Sequence, residues 1–234
     1  MTEPMPCRTD RAPFDRLFAE GAAAVADGSH RIEVPPGGGS RRWGVSALLR
    51  PDPGAEASLA ELAREAAVVA GDGHWLTGAV GNSHLTMRAL EYPRADIRDD
   101  DPCVARYAKA LSVASVGVPP LAFDIFGLTL TPLSVMACAL PVDDAPDRLS
   151  AAYAAALGDD AWLEDGIGLK RDIWYLNILH FAAPVGDPRA LIDWVADRRD
   201  LTPIPLRATE VEIATWRFTG SAMKPLRLAA SVLR

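Results

Sequence analysis

Asn82-Ser83-His84-Leu85-Thr86-Met87-Arg88 and Ile173-Trp174-Tyr175-Leu176-Asn177-Ile178-Leu179-His180-Phe181-Ala182 are the two stretches on which the reading of this chain turns. Each reads as a strand, and each carries one of only four histidines. Side chains in a strand alternate with period two. The first stretch therefore places His84, Thr86 and Arg88 on one face, with Leu85 and Met87 on the core face. The second places Ile178, His180 and Ala182 together, opposite Asn177, Leu179 and Phe181. Imidazole transfers a proton near neutral pH, a hydroxyl donates to a phosphoryl oxygen, and guanidinium neutralises its charge.

Outward from the first stretch, Trp43 to Leu49 reads as a strand stopped by Pro51-Asp52-Pro53-Gly54. Ala57 to Val69 reads as a helix opened at capping-box spacing by Ser58 and Glu61, and Gly71-Asp72-Gly73 ends it. Trp75 to Leu90 is extended, with a break near Gly81. Asp101 to Val113 is a helix with Pro102 in its first turn. Ala122–Leu130 and Leu133–Leu140, joined at Thr131-Pro132, form a hairpin, and Pro146 to Leu157 follows as a helix. Beyond the second stretch come a helix from Pro188 to Arg198 and closing strands over Val211–Phe218 and Leu226–Leu233.

Upstream, Phe14 to Ala26 has helical apolar spacing, and Pro35-Pro36-Gly37-Gly38-Gly39-Ser40 breaks regular structure. No GK[ST] follows that Gly run, so it is not read as a phosphate loop. Residues 1–40 are thus expected to be an N-terminal extension with a Gly-rich loop, and 41–234 a single two-lobed domain. Strands and helices mix without the strict alternation of a doubly wound sheet. The expected class is α+β: two lobes of mainly antiparallel sheet around a central cleft, with helices packed outside. Each half has a helix leading into a strand that carries a histidine.

The formal charge of −7 and a pI near 5.1 exclude a broad basic face, and with it sequence-independent binding of extended nucleic acid. They leave room for a small cationic pocket. No run of about 18 apolar residues suggests a membrane span, and no apolar signal core lies between Met1 and Arg16, so a cytoplasmic location is expected. Cys7, Cys103 and Cys138 form no CxxC pair and read as reduced thiols, with Cys138 a small core residue. Asp99-Asp100-Asp101 precedes Pro102, where carboxylates favour a helix start. Neither a metal nor a cofactor is expected. His30 has no visible partner; Lys170 and Arg171 read as solvated turn charges, and Trp75, Trp174 and Tyr175 as core aromatics.

At His84-Leu85-Thr86 the chain resembles the two-histidine phosphoesterases, the 2′-5′ RNA ligase-like and cyclic phosphodiesterase-like proteins. Such proteins carry a His-x-Thr/Ser motif in each of two lobes. His180-Phe181-Ala182 falls where the second motif is expected, after a hairpin, a helix and a basic turn, and departs from it at Ala182. The resemblance covers roughly Trp43 to Arg234. It implies His84 and His180 as acid and base, Thr86 and Arg88 as phosphate contacts, and metal-independent cleavage of a 2′,3′-cyclic phosphate or small phosphodiester. The implied partner is a small phosphorylated substrate or an RNA terminus. The same cleft would also serve a non-catalytic nucleotide or RNA-end binding module, or an enzyme of another class on the same fold.

Overall fold

The computed structural model describes residues 10–36 and 42–234. Among these residues, eight strands form one curled antiparallel sheet in the order β6-β3-β4-β5-β2-β1-β7-β8. They are β1 (Ser46–Leu49), β2 (Leu85–Ala89), β3 (Leu121–Leu130), β4 (Ser134–Pro141), β5 (Trp174–His180), β6 (Ile204–Ala208), β7 (Glu210–Phe218) and β8 (Met223–Val232). The α+β expectation holds, and the two lobes are the two halves of this sheet. Four strands lie on each side of the β2–β5 junction, which is held by a single paired position, Leu85 opposite Leu176.

Six α-helices among the described residues accompany the sheet: α1 (Ala12–Ala26), α2 (Pro53–Ala70), α3 (Pro102–Ala114), α4 (Ala145–Leu157), α5 (Trp162–Gly166) and α6 (Pro188–Ala196). α1 and α6 pack on β3, and α2 packs on β5 and β6. α3 packs on β7 and β8 and carries α4 against it. A continuous apolar core joins Leu59, Ala63 and Ala66 of α2 to Leu176 and Ile178 of β5, and Leu111 and Tyr153 to Ile213. Trp174 is wholly interior, its indole N–H donating to Asp147 at 2.9 Å. The N-terminal helix is part of this body: its Phe14 seals a small cluster with Phe126 and Cys138. The GGGS run and Cys7 lie outside the described residues.

Local chemistry places several boundaries differently from the sequence reading. α2 starts at Pro53, because Asp52 is its cap and accepts from the N–H groups of Gly54 and Ala55. Ser58, the expected cap, instead donates to the Gly54 carbonyl one turn back. Asp101 caps α3 through the Cys103 N–H, as its position before Pro102 implies. The long extended segment from Trp75 shortens to β2: Trp75 makes one bridge to His180, and the chain then turns, with Gly81 at φ 83°. Strand β6 escaped the reading because Pro205 argues against a strand. As the sheet's edge it tolerates a residue with no N–H.

Two register shifts matter for everything that follows. On β2, Thr86 pairs with Leu48 and Arg88 with Ala47, so Met87 is an extra residue. On β5, Leu179 pairs with Val135 and Asn177 with Met136, so Ile178 is extra. A bulge of this kind changes the phase of alternation along a strand.

Candidate active site

The junction between the lobes holds a cavity of about 310 Å³, and His84, Thr86 and His180 all line it. His84 comes from the end of the turn leading into β2, Thr86 from β2 itself, and His180 from the last position of β5. Tyr175 and Asn177 join from β5, Ser46 from β1 and Trp216 from β7. Strict alternation would have put Asn177 and His180 on opposite faces; the extra residue Ile178 brings both into the cavity while Ile178 and Leu179 stay in the core.

The bulge at Met87 works the other way for Arg88. Past it, Ala89 faces the cavity and Arg88 turns to the helices, where it is buried. Its guanidinium donates to the Ala161 carbonyl at 2.8 Å and lies 3.7 Å from both Glu164 and Asp165. Arg88 therefore does not share a face with Thr86 and does not reach the cavity. Cationic lining comes instead from Arg42 and Arg171. Arg42 pairs with the buried Glu33 at 2.8 Å, and Arg171 with the buried Glu164 at 2.6 Å. Arg171 had read as a solvated turn charge; the short helix α5 supplies the carboxylate that draws it inward.

Ala182 is also displaced from its expected place. It lies past the end of β5, its N–H is given to His74 Nδ1 at 3.4 Å, and it is not among the side chains lining the cavity. His74 and His30 pack edge-on against Phe181, away from the cavity-lining set, and serve the exit of the strand. The hydroxyl that does meet His180 is that of Thr77, whose Oγ1 is 2.6 Å from Nδ1. His84 gives its Nδ1–H to the Asn82 carbonyl at 2.8 Å. His180 Nε2 is buried without a hydrogen-bond partner among the described residues.

Indoles close over both rings. Trp216 lies 4.6 Å from His84, and Trp43 lies 5.0 Å from His180 and 5.2 Å from Trp216. His84 and His180 are only 7% and 1% exposed, which is why both are held neutral. Burial pushes His84 from 6.5 down to about 4, against the help of the Asn82 carbonyl, and the cations of Arg50 and Arg171 add to the depression. Burial likewise lowers His180, with Arg42 and any charge on His84 acting in the same direction.

Trp43 holds its place at a backbone cost. It sits at φ 69°, a left-handed conformation rare for a bulky side chain. Strain of about 1–3 kcal/mol of this kind gathers at functional sites. The next residue must be glycine, because a Cβ on Gly44 would collide with the Glu91 carbonyl. Trp43, Trp216 and Thr77 were not singled out in the sequence. A tryptophan in a strand-like run reads as core, and Thr77 lies in a turn with no motif around it.

A site of this composition can hold an anion between a hydroxyl and two guanidinium groups, stack an aromatic ring, and pass protons at two imidazoles. Neither a family model nor a curated protein matches the sequence. Solved structures do. TT0787 of Thermus thermophilus superposes with a TM-score of 0.57 at 15% identity, over 81% of this chain and 97% of that one. LigT of E. coli complexed with 3′-AMP superposes with a TM-score of 0.51 at 12% identity, over 82% and 98%. These identities establish likeness of fold. In fold, the chain is similar to TT0787 and to LigT.

Proposed function

We propose that the protein is a metal-independent phosphoesterase that cleaves a 2′,3′-cyclic phosphate or another small phosphodiester at the His84–His180 pair. The observation that carries this reading is the convergence of both imidazoles and the Thr86 hydroxyl on one cavity, with Arg42 and Arg171 in its wall. In this mechanism one imidazole takes the proton of the attacking water and the other protonates the departing ribose oxygen. Thr86 holds a phosphoryl oxygen, and the guanidinium groups offset the charge that gathers on it. Trp43, Tyr175 and Trp216 offer faces for a nucleobase. The 3′-AMP in the LigT structure is a ligand of the same chemical kind, a small nucleotide.

The decisive experiment is turnover of 2′,3′-cyclic and linear phosphodiesters in EDTA, with His84→Ala and His180→Ala alongside. We expect activity in the chelator, a bell-shaped pH profile, and a loss of about 100-fold or more for either variant, the usual size of an acid–base contribution. Activity that vanishes in EDTA and returns with a divalent ion, or survives both substitutions, ends the proposal. The close cover of indoles over both rings favours a second reading, a nucleotide or RNA-end binding module. Saturable nucleotide binding without turnover would select it.

A further inference from the structure

A second cavity, of about 330 Å³, abuts the first on the β4 side of β5. Arg42, Arg171, Tyr175 and Asn177 line both and form the wall between them. The opposite side is built by the N-terminal segment: Leu17 and Glu20 on α1, and Arg31 beyond it. All three precede Trp43, where the resemblance to the two-histidine phosphoesterases begins, so this side of the cavity lies outside that resemblance. The segment is firmly seated. The Phe14 carbonyl accepts from Thr129 Oγ1 at 2.9 Å, and the Arg31 N–H donates to the Pro132 carbonyl at 2.7 Å. The Arg31 backbone is thus pinned to the tip of the β3–β4 hairpin, while its side chain is exposed and makes no ion pair among the described residues. Lys170, from the loop before β5, lines the cavity in the same condition.

The shared wall is rich in aimed donors. Ser134 Oγ donates to Asn177 Oδ1 at 2.8 Å and stands 3.1 Å from Thr131 Oγ1. That chain fixes the Asn177 amide with its oxygen toward β4, which leaves both Nδ2 hydrogens for the cavities. Arg171 gives its Nε–H to Glu164, so its terminal nitrogens remain for a ligand. Two carboxylates, Glu20 and Asp172, stand in the same lining. The cavity therefore suits a phosphoryl group carried on a hydroxylated sugar, with the charge on Arg31 and Lys170 and sugar hydroxyls on the carboxylates. Neighbouring strands lie about 4.8 Å apart, so one or two strand spacings separate this cavity from the imidazoles, roughly the span of one ribose between its 3′ and 5′ phosphates. We infer that the second cavity is a subsite for a second phosphoryl group, and that the substrate is a nucleotide phosphorylated at both ends. The reacting phosphate sits between His84 and His180, and a terminal 5′-phosphate monoester lies against Arg31 and Lys170. This rests on the phosphoesterase reading and deepens it by naming the substrate class. The group is a monoester because Leu17 and Glu20 close the side by which a continuing nucleic-acid chain would have to leave.

Calorimetric binding to the full chain tests the subsite without turnover, using 3′-AMP, adenosine 3′,5′-bisphosphate, and a dinucleotide in which the 5′-phosphate is an internal diester. The bisphosphate should bind about tenfold tighter than 3′-AMP, the worth of one charge-assisted contact. In the Arg31→Gln, Lys170→Gln double variant that ratio should fall below about threefold; both side chains are exposed, so the fold is kept. The dinucleotide should bind at least about threefold more weakly than the bisphosphate. Equal affinity of the parent for 3′-AMP and the bisphosphate overturns the inference. So does a preference that survives the double variant, an equal loss on both ligands, or a dinucleotide that binds as tightly as the bisphosphate. Turnover separates the two readings. If the bisphosphate preference behaves as expected but no 2′,3′-cyclic phosphate is hydrolysed, with or without a 5′-phosphate, the phosphoesterase reading falls alone. If cyclic phosphates are hydrolysed with no advantage from a 5′-phosphate in either binding or kcat/KM, the subsite falls alone.

Discussion

Acidification should destabilise this protein through His84 before most carboxylates titrate. In the folded chain burial holds the His84 midpoint near 4, whereas in the unfolded chain it returns to about 6.5. Between those values the unfolded chain binds the extra proton and the folded chain does not. Stability attached to this histidine is thus fully present above about pH 6.5 and is lost as pH falls toward 4. The slope is about 1.4 kcal/mol per pH unit, which amounts to about 3 kcal/mol over the window. His180, also held neutral, adds to the loss in the same direction. Urea unfolding of the parent and of His84→Gln at several pH values between about 7.5 and 4 isolates the contribution, because the other titrating groups are common to both. The stability difference between them should shift by about 3 kcal/mol in favour of the variant as pH falls. A difference that stays flat to within about 0.5 kcal/mol would show that His84 meets solvent freely, and the enclosed-pair description would fail with it. The same logic reverses on ligand binding. A phosphate monoester or diester supplies the missing negative charge, so its affinity should rise as pH falls from about 7 to 5, with net proton uptake measurable by calorimetry in buffers of different ionisation enthalpy.

Arg88→Met should cost about 2–3 kcal/mol of stability, because the Ala161 carbonyl and Glu164 lose a buried donor while Glu164 keeps Arg171. Phosphate affinity should be unchanged; a tenfold loss in a folded sample would return Arg88 to the binding site. Thr86→Val should weaken phosphate or nucleotide binding about tenfold or more, the worth of a hydroxyl donated to a charged oxygen, with melting temperature nearly unaltered. Asp52→Ala should cost about 1 kcal/mol in chemical denaturation through the lost cap of α2. A larger loss would point to the Arg207 N–H, which the same carboxylate accepts at 2.7 Å.

Element order, the hairpin and the histidine-bearing strands were legible because each rests on a local signal: apolar period, a proline or glycine stop, a polar residue at a fixed place. The site was legible only in part, because its faces are set by bulges. Nothing in Leu-Thr-Met-Arg marks Met87 as the extra residue, and period two then assigns Arg88 to the wrong side. At Ile178 the same device rescues an assignment. His180 faces the cavity as expected, yet it does so beside Asn177, which strict alternation had sent to the other face. Thr77 and Trp216 had no signal at all. Their roles come from contacts remote in sequence: Thr77 meets β5 across 103 positions, and Trp216 meets the turn before β2.

The position of the cavity follows from how weakly the two lobes are stitched. Between β2 and β5 only Leu85 and Leu176 pair, so the backbone itself does little to fix one half against the other. A site that needs one imidazole from each half would drift if nothing else held them. The chain solves this with its crossovers. α2, which leaves β1 in one lobe, packs against β5 and β6 in the other, and the turn that follows it returns along β5 before entering β2. On that return Trp75 exchanges backbone bonds with His180, Gly78 donates to the Ile178 carbonyl, and Thr77 between them reaches the His180 ring. Gly78 suits this close approach because a Cβ there would press on Ile178 and Ala63 at 3.0 Å. The residues from Trp75 to His84 therefore form one continuous link: they fix the back of His180, cross the seam, and end at His84. Both histidines are set by the same short path, which is why a junction of a single strand pair can hold a two-imidazole site.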